Sequence, residues 1–146
     1  MKTKILVQAA VVLCCVGMAA GCATAGGGSA AAKGVDDQTA ITKTLGEWGS
    51  ALAAKNVDSI LAFYSDSFRD EEGRDKSTLK QFLQDVIANG YLDGAKVDVA
   101  TAQISINGSE AVVAPVALSG DMGGISLSIS MKKEGGAWKI TSSGQA

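Results

Sequence analysis

Hydrophobic periodicity changes once along the body of this 146-residue chain, at Asn89-Gly90, and that switch bounds what it can fold into. Upstream, Ile41, Leu45, Trp48 and Leu52 recur at steps of four, three and four, flanked by Ala40, Thr44 and Ala51. This is the stripe of an amphipathic helix over 37–54. Asp36 and Asp37 stand at its start, where acidic side chains cap free N–H groups and meet the positive end of the helix dipole. Asn56 and Asp58 restart the chain for a short second helix with Val57, Ile60, Leu61 and Tyr64 facing inward. The polar run "YSDSFRDEEGRDKS" reads as a loop or a short strand around Phe68. A third helix over 76–89 follows, striped by Leu79, Phe82, Leu83, Val86 and Ile87 and closed by Asn89-Gly90 as a C-cap.

Downstream the period falls to two, predicting strands over 95–106, 110–119, 124–133 and 137–143. Ile125, Leu127, Ile129 and Met131 alternate with Ser126, Ser128 and Ser130, as in a half-buried strand. Hairpin signals at 107–109 and 134–137, and a longer turn at 119–124, imply an antiparallel meander. In the first strand Val97 and Val99 lie on one parity and Ile104 and Ile106 on the other, which places a bulge near 100–103. The fold class is therefore α+β: three N-terminal helices packed on a curved antiparallel sheet of about four to six strands.

Ahead of this body lies a three-part leader. Lys2 and Lys4 give a positive start, residues 5–18 an apolar run, and residues 19–25 a small-residue stretch, the layout of an export signal. Its end, "MAAGC", resembles the lipobox of bacterial lipoproteins, although Ala19 stands where Leu is commoner. The resemblance implies cleavage before Cys22 and lipidation of that cysteine. Cleavage after Ala23-Thr24-Ala25, or an uncleaved spanning helix over 5–21, are the alternatives. The expected organisation is a lipoprotein signal peptide over 1–21, the lipidated cysteine and a Gly/Ala/Ser tether over 22–35, and one domain over 36–146. Partnership with a membrane through lipid on Cys22 follows. Location in the cell envelope, on the outer membrane facing the periplasm, is the matching expectation, since Ala23 rather than Asp follows the cysteine.

Composition excludes several chemistries. Removing Lys2 and Lys4 with the leader leaves 11 basic against 15 acidic side chains, a net charge of −4, so there is no basic footprint for nucleic acid. Histidine is absent, which removes the usual general base at neutral pH and every Ser/His or Cys/His pair. Cys14, Cys15 and Cys22 all precede the body, so neither a disulfide framework nor a thiolate metal site can form there. The acidic residues Asp66, Asp70, Glu71 and Glu72 do not follow the spacing of a Ca²⁺ loop, and no metal or cofactor is expected.

"LGEWGSALAAKNVDSILAFYSDSF", a following helix and paired strands ending in "KKEGGAWKIT" resemble the nuclear-transport-factor-two-like superfamily over about residues 36–143. The resemblance implies a cone whose curved sheet wraps the helices and leaves a pocket at its open end. Relatives include ketosteroid isomerases, polyketide cyclases, dehydratases and non-enzymatic binding or dimerisation modules, so the fold leaves function open. In the isomerases a catalytic Tyr on the first helix, a carboxylate base after the second and a protonated acid on a later strand would be expected. Here Trp48 takes the Tyr position, the base position falls near Asp70 or Glu71, and the strand offers only Ser126, Ser128 and Ser130. An indole N–H donates a hydrogen bond but exchanges no proton.

These observations lead to a membrane-anchored lipoprotein whose domain binds a small apolar ligand or a partner protein without catalysis. Trp48, Tyr64, Phe68 and Tyr91 are the expected pocket residues, because apolar pockets are lined by aromatics with a few polar tips. An isomerase-, dehydratase- or cyclase-type enzyme using Asp70 or Glu71 as base is one alternative. A structural dimerisation module is the other: Ala111 to Ala117 with Val112, Val113 and Val116 is apolar on both faces, which suggests a homodimer through the sheet.

Overall fold

The computed structural model describes residues 30–146; the expected leader, Cys22 and the first part of the expected tether lie outside them. Three helices precede five strands: α1 (Ala30–Ala53), α2 (Val57–Leu61), α3 (Lys76–Ala88), β1 (Lys96–Asp98), β2 (Gln103–Asn107), β3 (Glu110–Gly120), β4 (Gly123–Glu134) and β5 (Ala137–Gln145). Among the described residues no helix is long and apolar enough to cross a membrane.

The α1 helix begins at Ala30, seven residues before the expected start, because Ala30 to Lys33 are strong helix formers that extend the amphipathic stretch. Asp36 and Asp37 consequently lie inside the helix and not at its cap. Asp37 instead accepts hydrogen bonds from Lys133 and from the Trp138 indole at 3.3 Å, fixing the helix to the β4–β5 turn. The other two helices do carry side-chain caps. Asn56 accepts from Ser59 N at 3.0 Å to open α2, and Asp75 accepts from Thr78 N at 2.8 Å to open α3.

The sheet is antiparallel in the order β1-β3-β4-β5, and β2 shares the outer edge of β3 with β1. Residues 96–98 pair with 117–119 and residues 103–107 with 110–114, so the predicted first strand is interrupted by residues 99–102. Opposite this break the β3–β4 register shifts between Val113 and Val116, at Pro115, which has no N–H for the ladder. A second shift falls between Ser130 and Met131, where β5 holds Thr141 as the extra residue. The two irregularities bend the sheet around the helices.

The free edge of β5 is covered by residues 63–71. Ser65 N donates to Ile140 O and Ile140 N to Phe63 O, both at 2.8 Å, and Arg69 N donates to Thr141 O at 3.0 Å. This irregular pairing positions Phe68 and Asp70. The core on the concave side is fully buried at Ile41, Leu45, Ile60, Phe68, Val113, Val116, Ile129, Met131 and Ile140.

Two glycines of α1 test this packing in opposite directions. Gly49 faces β1 so closely that an added Cβ would lie 2.8 Å from Val97 Cβ, whereas around Gly46 nothing lies within 4 Å. Gly46→Ala is expected to raise stability by about 0.5–1 kcal/mol through helix propensity. Gly49→Ala is expected to cost about 1–3 kcal/mol despite the same gain, because the strand must be pushed away. Urea unfolding of both variants measures the contrast.

Candidate functional site

The cone is not filled at the end where β3 turns into β4. A cavity of about 750 Å³ opens there between α1, α3 and the concave faces of β3, β4 and β5. It forms because α3 ends at Ala88 while the inward alternation of β4 runs on through Leu127 and Ile125 beyond the helical cover. Ile125 is 50 % exposed, and Phe82, Tyr91 and Met122 are 41 %, 57 % and 65 % exposed on the same lining. Four large apolar side chains thus ring the mouth. Deeper walls come from Leu52, Leu79, Leu83, Leu92, Ala95 and Leu118.

Three side chains give the cavity its polar end. Trp48 and Tyr64 are buried and meet edge to face with ring centroids 6.5 Å apart, and Tyr64 meets Phe68 in the same way at 4.8 Å. Burial pushes the Tyr64 hydroxyl far above its ordinary pKa; the Trp48 indole pulls it down less, and the Asp70 carboxylate adds to the rise, so it stays protonated. Trp48 Nε1 itself is buried and has no partner in hydrogen-bond geometry.

Asp70 is the third. Its side chain is only 5 % exposed. Oδ1 accepts from Glu72 N at 3.0 Å and Arg74 N at 2.8 Å, while Oδ2 accepts from Arg74 Nε at 2.6 Å. Burial alone would raise its pKa, but the hydrogen bonds and charge of Arg74, with the Glu72 amide, outweigh burial and hold it below the usual carboxylate range. Arg74 also pairs with Glu72 and lies 4.2 Å above the Phe82 ring centre. Glu71 crosses β5 at Gly144, where its carboxyl leaves no room for a Cβ, and accepts from Gln145 N at 3.2 Å.

The sequence-derived candidates separate in space. Trp48, Tyr64, Tyr91, Asp70 and Glu71 all line the cavity. Phe68 does not: it is fully buried behind Tyr64, because pairing of residues 63–71 along β5 turns its ring into the core. The acidic run is not uniformly solvated either, since Asp70 is sequestered while Glu71 and Glu72 are exposed. Among the described residues no group of three or more possible ligands converges as for a metal ion. Arg74, Met122, Ile125 and residues 143–145 are additions to the site. Of these, Ile125 had a signal in the alternation of β4, and the others depend on tertiary contacts.

On β3, Ala111, Val113 and Val116 face the core, whereas Val112, Pro115 and Ala117 are exposed on the outer face of the sheet. Val112 sits there in a cross-strand row with Ser105, Ser130 and Ser142. The strand is apolar on both sides because one side meets the core and the other is uncovered.

The architecture has counterparts of known structure. A protein of unknown function with a cystatin-like fold from Nostoc punctiforme superposes with a TM-score of 0.61 at 17 % identity, over 73 % of this chain and 87 % of that one. The fold is NTF2-like. An NTF2-like protein of unknown function from Shewanella baltica matches with a TM-score of 0.57 at 19 % identity, over 75 % of this chain and 91 % of that one. Another from Pseudomonas putida gives 0.57 at 15 % identity, over 75 % and 84 %. No family model and no curated protein matches the sequence.

Proposed function

We propose that this protein is a membrane-tethered binding module whose NTF2-like cone takes up a small apolar molecule without transforming it. The observation that carries the reading is the pairing of a 750 Å³ cavity with apolar walls and a sequestered carboxylate, Asp70, whose oxygens are occupied by three donors. A general base near neutral pH needs a raised pKa, and Asp70 is pulled in the opposite direction. Glu71 is exposed and tied to the end of β5. The volume suits a ligand of small-molecule size.

The tether rests on the lipobox-like end at Cys22. Two acyl chains hold a protein stably on a bilayer, where one does so only marginally. Within α1, Asp37 is fixed to the β4–β5 turn, whereas the mouth lies at the β3–β4 turn, the other end of the 12-residue β4. A tether entering α1 therefore joins the domain at the end opposite the mouth. On this reading the cavity faces the aqueous compartment.

A cavity-filling variant tests the binding reading. Leu127 is half-buried on the β4 wall of the cavity, so Leu127→Trp is expected to fill space that is empty of protein atoms. Affinity for the neutral fluorophore N-phenyl-1-naphthylamine should fall by at least about tenfold, corresponding to roughly 1.4 kcal/mol. The melting temperature should hold or rise. Unchanged dye affinity in a folded variant would place binding elsewhere.

A further inference from the structure

The polarity of the ligand follows from the same cavity, and this inference rests on the binding reading above. Buried indole N–H groups ordinarily find an acceptor. Trp138 does, donating to Asp37 Oδ1 at 3.3 Å. Trp48 Nε1 does not, although Trp48 is 97 % buried and lines the cavity. An unmet donor of this kind costs free energy until something accepts from it.

Tyr64 stands beside it on the same lining with its hydroxyl kept protonated, a second donor at the closed end. The Tyr64 oxygen is close enough to be influenced by that indole but is not in hydrogen-bond geometry with it, and Asp70 already accepts from Glu72 N, Arg74 N and Arg74 Nε. Charge narrows the choice further. Asp70, Glu71 and Glu72 line the cavity against Arg74 alone, and that guanidinium is shared between Asp70 and Glu72. An incoming anion would meet uncompensated negative charge in a partly desolvated space.

We propose that the cavity is selective for neutral apolar molecules carrying one hydrogen-bond acceptor, a carbonyl or ether oxygen, which sits on Trp48 Nε1 and the Tyr64 hydroxyl. The carboxylate of the same chain length is excluded. The apolar remainder of the ligand lies along Leu83, Leu118 and Leu127 toward the mouth.

The test uses the ¹⁵N-labelled protein, whose two tryptophans give two indole cross-peaks, assigned with Trp48→Phe. It is titrated separately with 2-nonanone, nonane and nonanoic acid at pH 7. The ketone is expected to move the Trp48 indole proton downfield and leave that of Trp138 in place. Nonanoate should bind at least about tenfold more weakly than the ketone, given the like charges. Trp48→Phe should reduce ketone affinity by about three- to tenfold more than it reduces nonane affinity, the net worth of one hydrogen bond. If the three probes bind alike, or the Trp48 proton stays put while cavity methyl resonances shift, the selectivity is overturned and binding stands. If no resonance shifts with any probe, the binding reading falls and takes the selectivity with it.

Discussion

Phe68→Ala is expected to cost about 3–5 kcal/mol in chemical denaturation, the largest loss anticipated from a single side chain of the site region. Phe68 is 0 % exposed and supports Tyr64 edge to face at 4.8 Å; Tyr64 in turn supports Trp48. Deleting the ring leaves a void beneath the closed end of the cavity, into which Tyr64 can fall, so ligand affinity should drop together with stability. A residue that lined an open pocket would behave differently. Its replacement by Ala would widen the pocket at a cost of under about 1.5 kcal/mol, and a value that small would return Phe68 to the lining.

Asp70→Ala is expected to cost about 2–4 kcal/mol, because two backbone N–H groups and the Arg74 guanidinium lose their acceptor at a site that is 5 % exposed. Its pH dependence has a definite sign. The folded pKa of Asp70 lies below the ordinary value, so its stabilisation is complete above the unfolded pKa of about 4 and is lost as pH falls through the folded pKa. Asp70→Asn keeps an oxygen for the amides and removes the charge. Unfolding free energies of Asp70→Asn and wild type should therefore differ most above about pH 5 and converge below pH 3. The variant will still lose some stability in acid, because Asp66, bonded by Lys76, and Asp75, bonded by Ser77 and Thr78, are also depressed. A gap that widened on acidification would mean that Asp70 is protonated in the folded state, as a poised catalytic acid would be.

The architecture was legible where a local pattern has a single physical solution. Steps of three and four up to Ile87 can only bury one helical face, and alternation from Ile125 to Met131 can only bury one sheet face. The change of parity between Val99 and Ile104 exposed the break between β1 and β2, since a strand cannot switch faces without an irregularity. What the pattern does not carry is how far a neighbouring element reaches. Nothing local says that α3 stops short of Ile125, and that is what leaves the cavity open.

The same holds for the misplaced residues. Asp36 and Asp37 have the chemistry of a helix start, but alanines ahead of them extend the helix and Asp37 is claimed by Trp138 from 101 residues away. Phe68 and Asp70 lie in a stretch whose composition says loop; its burial comes from β5, which is encoded 70 residues later. Arg74 could not be singled out because its role depends on Asp70 being sequestered and on Phe82 lying beneath it.

The most direct test of a ligand-holding, non-catalytic cone is the electron density inside the cavity of protein purified from its own host. Continuous, elongated density is expected from Trp48 and Tyr64 to the mouth between Phe82, Tyr91, Met122 and Ile125, with Arg74 still clamped on Asp70. Closure of the mouth by those four side chains over ordered water, or a bound molecule contacting Asp70 with Arg74 swung away, would contradict it.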